Sequence, residues 1–199
     1  MANICNTDYC IGSSTIETLV KFNEKLKTLS ENEYDEIYLE DLLKSFGIDN
    51  KDEDIRTCGE IIYYNLDLEN NKLWITVTSK WSGCHEVFNV INKTIFNNDL
   101  IISYREIEPG CNIYDVYDPQ EVFWEDCCVD TYGFDEFSEG EEYTSIAKAI
   151  NDWYNVFKDK IDVNHFDKLS IDDKIDFINN YEYEFLDCYY NIALFNFIG

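Results

Sequence analysis

The stretch EIIYYNLDLENNKLWITVTSKW, residues 60–81, reads as a β-hairpin. Two runs rich in aromatic and β-branched residues, 61–68 and 73–81, flank Glu69-Asn70-Asn71-Lys72, a polar joint of the kind that reverses a strand. In the second arm Leu73, Ile75 and Val77 alternate with Trp74, Thr76 and Thr78, the period of a strand with one buried face. Working outward, residues 2–12 alternate loosely and end at Gly12-Ser13-Ser14, a first strand and its turn. Ile16, Leu19, Val20, Phe22, Leu26 and Leu29 then recur at helical spacing. On the other side of the hairpin, residues 84–98 read as a helix with Val87, Phe88, Ile91 and Ile95 inward. LIISYREIE (100–108) is a strand stopped by Pro109-Gly110, and NIYDVYD (112–118) can pair back on it. The order is βαββαβ, which predicts an α+β fold with a ferredoxin-like antiparallel sheet over residues 1–118.

Two segments lie outside that pattern. Residues 31–58 are polar and acidic and read as an insertion, with a short helical patch YLEDLLKSFG that Gly47 can stop. Residues 119–199 read as an acidic connector followed by an α-helical extension packed on the sheet domain or on another subunit. Its helices are a first from about Ser145 (Ile146, Ile150, Trp153, Phe157), a second behind the capping box Ser170-x-x-Asp173 (Ile171, Ile175, Ile178), and an aromatic-rich third over 183–195.

Charge narrows the function. Fifteen basic residues stand against 41 acidic ones in 199, a net charge of −26. A nucleic-acid binder needs cations for phosphates, so direct DNA or RNA binding is disfavoured, as is an anionic membrane surface. No basic leader precedes an apolar run at the start, and no apolar run approaches the ~20 residues of a membrane span. A cytoplasmic protein is expected, with its eight cysteines (5, 10, 58, 84, 111, 127, 128 and 188) as reduced thiols.

MANICN at the start, LWITVTSKWS in the middle and ISYREIEPG afterwards resemble the YubB-like ferredoxin-like domain family of plasmids and phages. The matching positions are Ala2, Asn3, Cys5, Gly12, Trp81, Ser82, Glu108, Pro109 and Gly110. Ile4 stands where that pattern has Trp, Thr7 where it has Asn, and Gly83-Cys84 where it has two prolines. The resemblance spans residues 1–118 and implies a fold and a mobile-element setting. It brings no catalytic residues with it.

Catalytic and metal readings find little purchase. Among 41 acids some pair falls 5–10 Å apart by chance, so carboxylate pairs alone carry no glycosidase argument. Cys127-Cys128 with Glu125, Asp126 and Asp130, and Cys84-His85, offer metal donors, but adjacent cysteines rarely share one zinc and no CxxC pair occurs. One of Cys127 and Cys128 is expected to face in and the other out along a strand. The two histidines, His85 and His165, form no nucleophile signature, and phosphate-binding glycine loops are absent. Neither enzyme, metal nor cofactor is expected.

What remains is the acidic surface. Residues 31–54 hold ten acids to two lysines, and residues 121–142 hold nine acids and no base. The expected partner-binding residues are Glu121, Trp124, Glu125, Asp126, Asp130, Asp135, Glu136, Phe137, Glu139, Glu141 and Glu142, joined by Glu31, Glu33, Asp35 and Glu36. Trp124, Tyr132, Phe134 and Phe137 would supply desolvated anchors among the charges. Duplex DNA carries one charge per ~1.7 Å of axis, and an acidic ridge can imitate it. The sequence therefore suggests a non-enzymatic inhibitor from a mobile element, of anti-restriction or anti-CRISPR type. It would mimic DNA toward a basic nucleic-acid-binding host protein. Two alternatives stay open: a homodimeric assembly module using its aromatic C-terminal helices, and a metal-dependent enzyme.

Overall fold

A computed structural model describes residues 3–31, 36–49, 55–183 and 188–199, and shows an α+β protein of two compact units. The first comprises Met1–Phe123 with Phe197–Gly199, the second Trp124–Asn196. In the first unit the elements run β1 (Ile4–Ser13), α1 (Ile16–Ser30), β2 (Ile37–Tyr38), α2 (Leu39–Ser45), β3 (Gly59–Asp67), β4 (Lys72–Lys80), α3 (His85–Ile95), β5 (Leu100–Glu108) and β6 (Ile113–Tyr117). With β10 (Asn196–Phe197) these strands make one seven-stranded sheet in the order β10-β6-β5-β1-β4-β3-β2. β1 runs antiparallel to both β4 and β5, and β3 is antiparallel to β4. Helix α1 lies in the chain between β1 and the β3–β4 hairpin, and α3 between β4 and β5.

The alternation in β4 does what its sequence implies: Leu73, Ile75 and Val77 are buried. Its partner needs one correction to register. Between Ile61 and Tyr63 the ladder shifts, so Ile61 faces Val77 while Tyr64 faces Ile75 and Leu66 faces Leu73. The bulge at Ile62 moves the inward set from odd to even positions and leaves Ile62 and Tyr63 exposed. The hairpin loop is tied by Asp67, whose carboxylate accepts from the backbone N–H groups of Glu69 and Asn70.

Core packing selects from each helical stripe. In α1 Leu19, Phe22 and Leu26 are buried, and in α3 Val87, Phe88 and Ile91. Ile95, expected inward, is 37% exposed because α3 ends there and the chain turns away through Asn97 and Asn98, both at positive φ. Helix α2 fills the same core with Leu39, Leu42 and Leu43. It stops at Gly47, whose φ of 77° is one that a side chain would strain.

Residues 119–123 belong to the first unit for a physical reason. Gln120 Nε2 donates to the Cys10 and Ile101 carbonyls at 2.8 and 3.0 Å. Phe123 lies edge-on to Trp74, with the Arg105 guanidinium 5.1 Å from its ring centre. This strap crosses the sheet face opposite the helices.

The second unit departs from a purely helical extension. Its elements are β7 (Cys127–Tyr132), β8 (Glu141–Tyr143), α4 (Ile146–Phe157), α5 (Val163–Phe166), α6 (Ile171–Asn179) and β9 (Tyr189–Leu194), with a three-stranded sheet ordered β8-β7-β9. The helix expected over 183–195 is, from Tyr189 to Leu194, a strand; residues 184–187 of that expectation lie outside the described residues. The reason is period two: Tyr190 and Ile192 point into the core while Tyr189 and Asn191 do not, and all pair with β7. Asn179 at the end of α6 fixes the arrangement, donating to the Ile192 carbonyl and accepting from its N–H. Helices α4 and α6 start behind Ser145 and Ser170, each accepting from the N–H three residues on. Ile175 and Ile178 are buried, whereas Ile171, in the first turn of α6, is exposed.

Aromatic rings dominate this second core. Trp153 is fully buried, packs against Phe157, Phe166, Phe177 and Tyr181, and donates through its indole N–H to the Tyr183 hydroxyl at 2.7 Å. Replacing Trp153 with Ala should cost the second unit about 3–5 kcal/mol. Urea denaturation should show that loss as an earlier midpoint with α4 signal lost first; a midpoint within error of the parent would show the core elsewhere.

Candidate functional site

The residues expected to bind a partner do not all behave alike. Asp126, Asp135, Glu136, Glu139 and Glu142 are exposed along the second unit, while Glu125, Asp130 and Glu141 are half-buried. Asp130 accepts from the Tyr189 hydroxyl at 3.2 Å. Glu141 and Glu142 lie on β8 opposite Val129 and Cys128. In the first unit Glu121, Glu31 and Glu36 are exposed, Glu36 accepting from the Tyr38 hydroxyl. Glu33 and Asp35 fall outside the described residues.

The aromatic anchors need correction. Phe137 and Phe134 are not surface anchors: both pack onto the second core, Phe137 against Tyr190 and Phe134 against Phe157 and Tyr183. Trp124, 69% exposed, and Tyr132, 58% exposed and stacked on Tyr189, remain on the surface. Cys127 and Cys128 are both buried, against the expectation of one in and one out. Burial pushes the Cys127 thiol up to about 11, an inert small hydrophobe at neutral pH.

A second concentration of chemistry lies at one end of the seven-stranded sheet, where β1 begins and β4 and β5 end. Here Glu106 is 5% exposed and fully employed. Its Oε1 accepts from the Gly83 N–H at 2.6 Å and from the Cys5 thiol at 3.4 Å, and its Oε2 lies 2.7 Å from His85 Nε2. His85 Nδ1 is 3.0 Å from the Tyr9 hydroxyl, and its ring stacks 3.7 Å from that of Tyr104. Burial raises the Tyr9 hydroxyl far above its ordinary value and keeps it protonated. Both ring nitrogens are engaged within the protein, so His85 orients its neighbours and has no nitrogen left for a substrate.

The Trp81 N–H donates to the Asn3 carbonyl at 3.1 Å, and Glu108 caps the turn Pro109–Cys111. Gly83 leaves room for the His85 ring and supplies an N–H to Glu106. A Cβ there would stand 2.8 Å from His85 Nε2, and a proline would have no N–H for Glu106. Trp81 itself sits at φ 73° while 51% exposed, a backbone state that costs a bulky residue about 1–3 kcal/mol.

Beside the network, Arg56 Nε donates to the Cys58 thiol at 3.0 Å and its Nη1 to Ser82 Oγ at 2.6 Å. Cys58 lines a groove of about 410 Å³ with Ile4, Tyr38, Thr57, Glu60 and Lys80. The sequence shows these residues as scattered cysteines and an isolated arginine, with no local motif that joins them. Among the described residues, no three His, Cys, Asp or Glu side chains gather as a metal-binding set, and no helix is long and apolar enough to cross a membrane. No protein family, curated protein or solved structure matches this chain.

The buried carboxylate makes stability depend on pH. Burial alone would raise Glu106, but donation from His85 and Gly83 holds it below its ordinary 4.5. A depressed carboxylate stabilises the fold fully above its unfolded value and loses that contribution as pH falls through the folded one. Glu106→Gln should therefore cost about 1–3 kcal/mol at pH 7. In urea melts the gap between variant and parent should narrow steadily below pH 4.5; a gap independent of pH would mean that charge plays no part.

Proposed function

We propose that this chain is a binding protein whose acidic surface occupies the nucleic-acid-binding face of a basic partner. The observation that carries this reading is the stretch 124–143. It holds eight carboxylates and no base, and Asp126, Asp135, Glu136, Glu139, Glu142 and the Trp124 ring are all exposed. Such a surface costs self-repulsion in the free protein, which a cationic partner relieves. Its charges steer encounter and make the complex sensitive to salt.

The sheet order β5-β1-β4-β3, with α1 and α3 as the connecting helices, supports reading the first unit as a ferredoxin-like split βαβ arrangement. On that reading, and on the resemblance to the YubB-like family, the setting is a plasmid or phage. The partner class is then a host defence nuclease of restriction or CRISPR type. A homodimeric reading draws less support. Trp153 and Phe157, two aromatics of the helices on which it rested, line the core of their own unit.

The test begins with a partner recovered from a nuclease-treated bacterial lysate and then purified. Its Kd for the parent chain should weaken at least ~10-fold between ~50 and ~300 mM salt, and duplex DNA should compete. A variant carrying Asp126→Asn, Asp135→Asn, Glu136→Gln, Glu139→Gln and Glu142→Gln should bind ~10-fold or more weakly at the lower salt. Equal binding by parent and variant, or binding indifferent to salt and DNA, would remove the proposal.

A further inference from the structure

Cys58 stands apart from the other cysteines whose surroundings shift them. Burial pushes Cys5 and Cys84 up to about 12 and Cys10 and Cys127 up to about 11. The Glu108 carboxylate, hydrogen-bonded to the exposed Cys111 thiol, raises that one. These are conditions under which a thiol stays a thiol. Cys58 is exposed, and its sulfur has polar neighbours. Arg56 Nε points at it from 3.0 Å, and the Lys80 backbone and the Cys84 thiol lie close enough to favour its ionised form. Partial burial opposes ionisation, yet donation and charge from Arg56 outweigh it, and the group is held below its ordinary 9.0. Arg56 is itself anchored by Ser82, so the cation does not swing away.

We infer that Cys58 is a nucleophilic thiolate site for small-molecule disulfides, with Cys84 as its resolving thiol. The groove admits the substrate: about 410 Å³ opens at Cys58, with Lys80 and Glu60 at its polar edge and Ile4 and Tyr38 as apolar wall. In the first step the Cys58 thiolate attacks one sulfur of R–S–S–R, forming the mixed disulfide Cys58–S–S–R and releasing RS⁻. In the second, the Cys84 sulfur attacks the Cys58 sulfur as its proton passes to the departing RS⁻, which breaks the Cys58–S–S–R bond, forms the Cys58–Cys84 disulfide and releases RSH; the first RS⁻ takes its proton from solvent. Two protein thiols are oxidised by two electrons, and one disulfide is reduced to two thiols. Loss of the proton from Cys84 is the harder step, since that thiol is buried, so the mixed disulfide accumulates before it resolves. The inference is independent of the acidic surface and stands whether or not a basic partner exists.

The test uses the full, reduced chain and two probes. With an aromatic disulfide reagent such as DTNB, one thiol should react ~10-fold or more faster than the rest, with a pH midpoint below the ordinary 9.0 of a thiol. Cys58→Ser should abolish that phase. Arg56→Gln, which leaves the core untouched, should keep the phase but move its pH midpoint upward. With glutathione disulfide, peptide mapping should find glutathione on Cys58 at early times and a Cys58–Cys84 disulfide later. A fast phase that survives Cys58→Ser, a pH midpoint unmoved by Arg56→Gln, or glutathione spread equally over Cys111 and Cys188 would each overturn the assignment.

Discussion

Pairing of β1 on both of its edges is the constraint on which the first unit depends. Because β1 bonds to β4 on one side and β5 on the other, its inward residues meet side chains that are far away in the chain. Cys5 and Tyr9 point to the same side of that strand, so a shift of one residue would turn both to the opposite face. Tyr9 then reaches His85, and Cys5 reaches Glu106, 101 positions on. The helices cover this face, and the strap through Gln120 and Phe123 covers part of the other. A sheet held from both sides does not slip, which lets its end carry a tightly packed polar network.

That network and the acidic surface answer different physical demands. Glu106 is a single charge kept inside by its donors, and its neighbours His85, Tyr9 and Gly83 exist as a set because an unsatisfied buried carboxylate is costly. Five of the eight carboxylates of 124–143 are exposed to water, where each costs little alone and the cost is collective. Removing one surface acid changes a field; removing one member of the network leaves a hole in the hydrogen bonding. Cys58 lies between these regimes. It is exposed enough to meet a reagent and sheltered enough that Arg56 and Cys84 act on it at short range.

Much of the fold was legible in periodicity. The hairpin over 60–81, the stripes of α1 and α3, and the capping serine before α6 follow from local spacing and local hydrogen-bond chemistry, which a sequence states directly. Where the sequence misled, a distant partner had decided the outcome. Residues 189–194 hold aromatic and aliphatic side chains compatible with either a helix or a strand, and β7 supplied the edge that made them a strand. The bulge at Ile62 is set by the need of Tyr64 and Leu66 to face the same core as Ile61. Phe134 and Phe137 looked like surface anchors because acids surround them in the chain, although in space they are surrounded by rings.

By itself the sequence determined the charge, the alternation of helix and strand in the first unit, and the lack of any local nucleophile or metal motif. These are properties of composition and of neighbours within a turn or two. Tertiary structure alone decided that Glu106 is buried against His85, that Arg56 and Cys84 converge on Cys58, and which acids face water. The physical reason is common to all three. Burial and short-range electrostatics depend on distances between residues far apart in the chain, and strand pairing sets those distances.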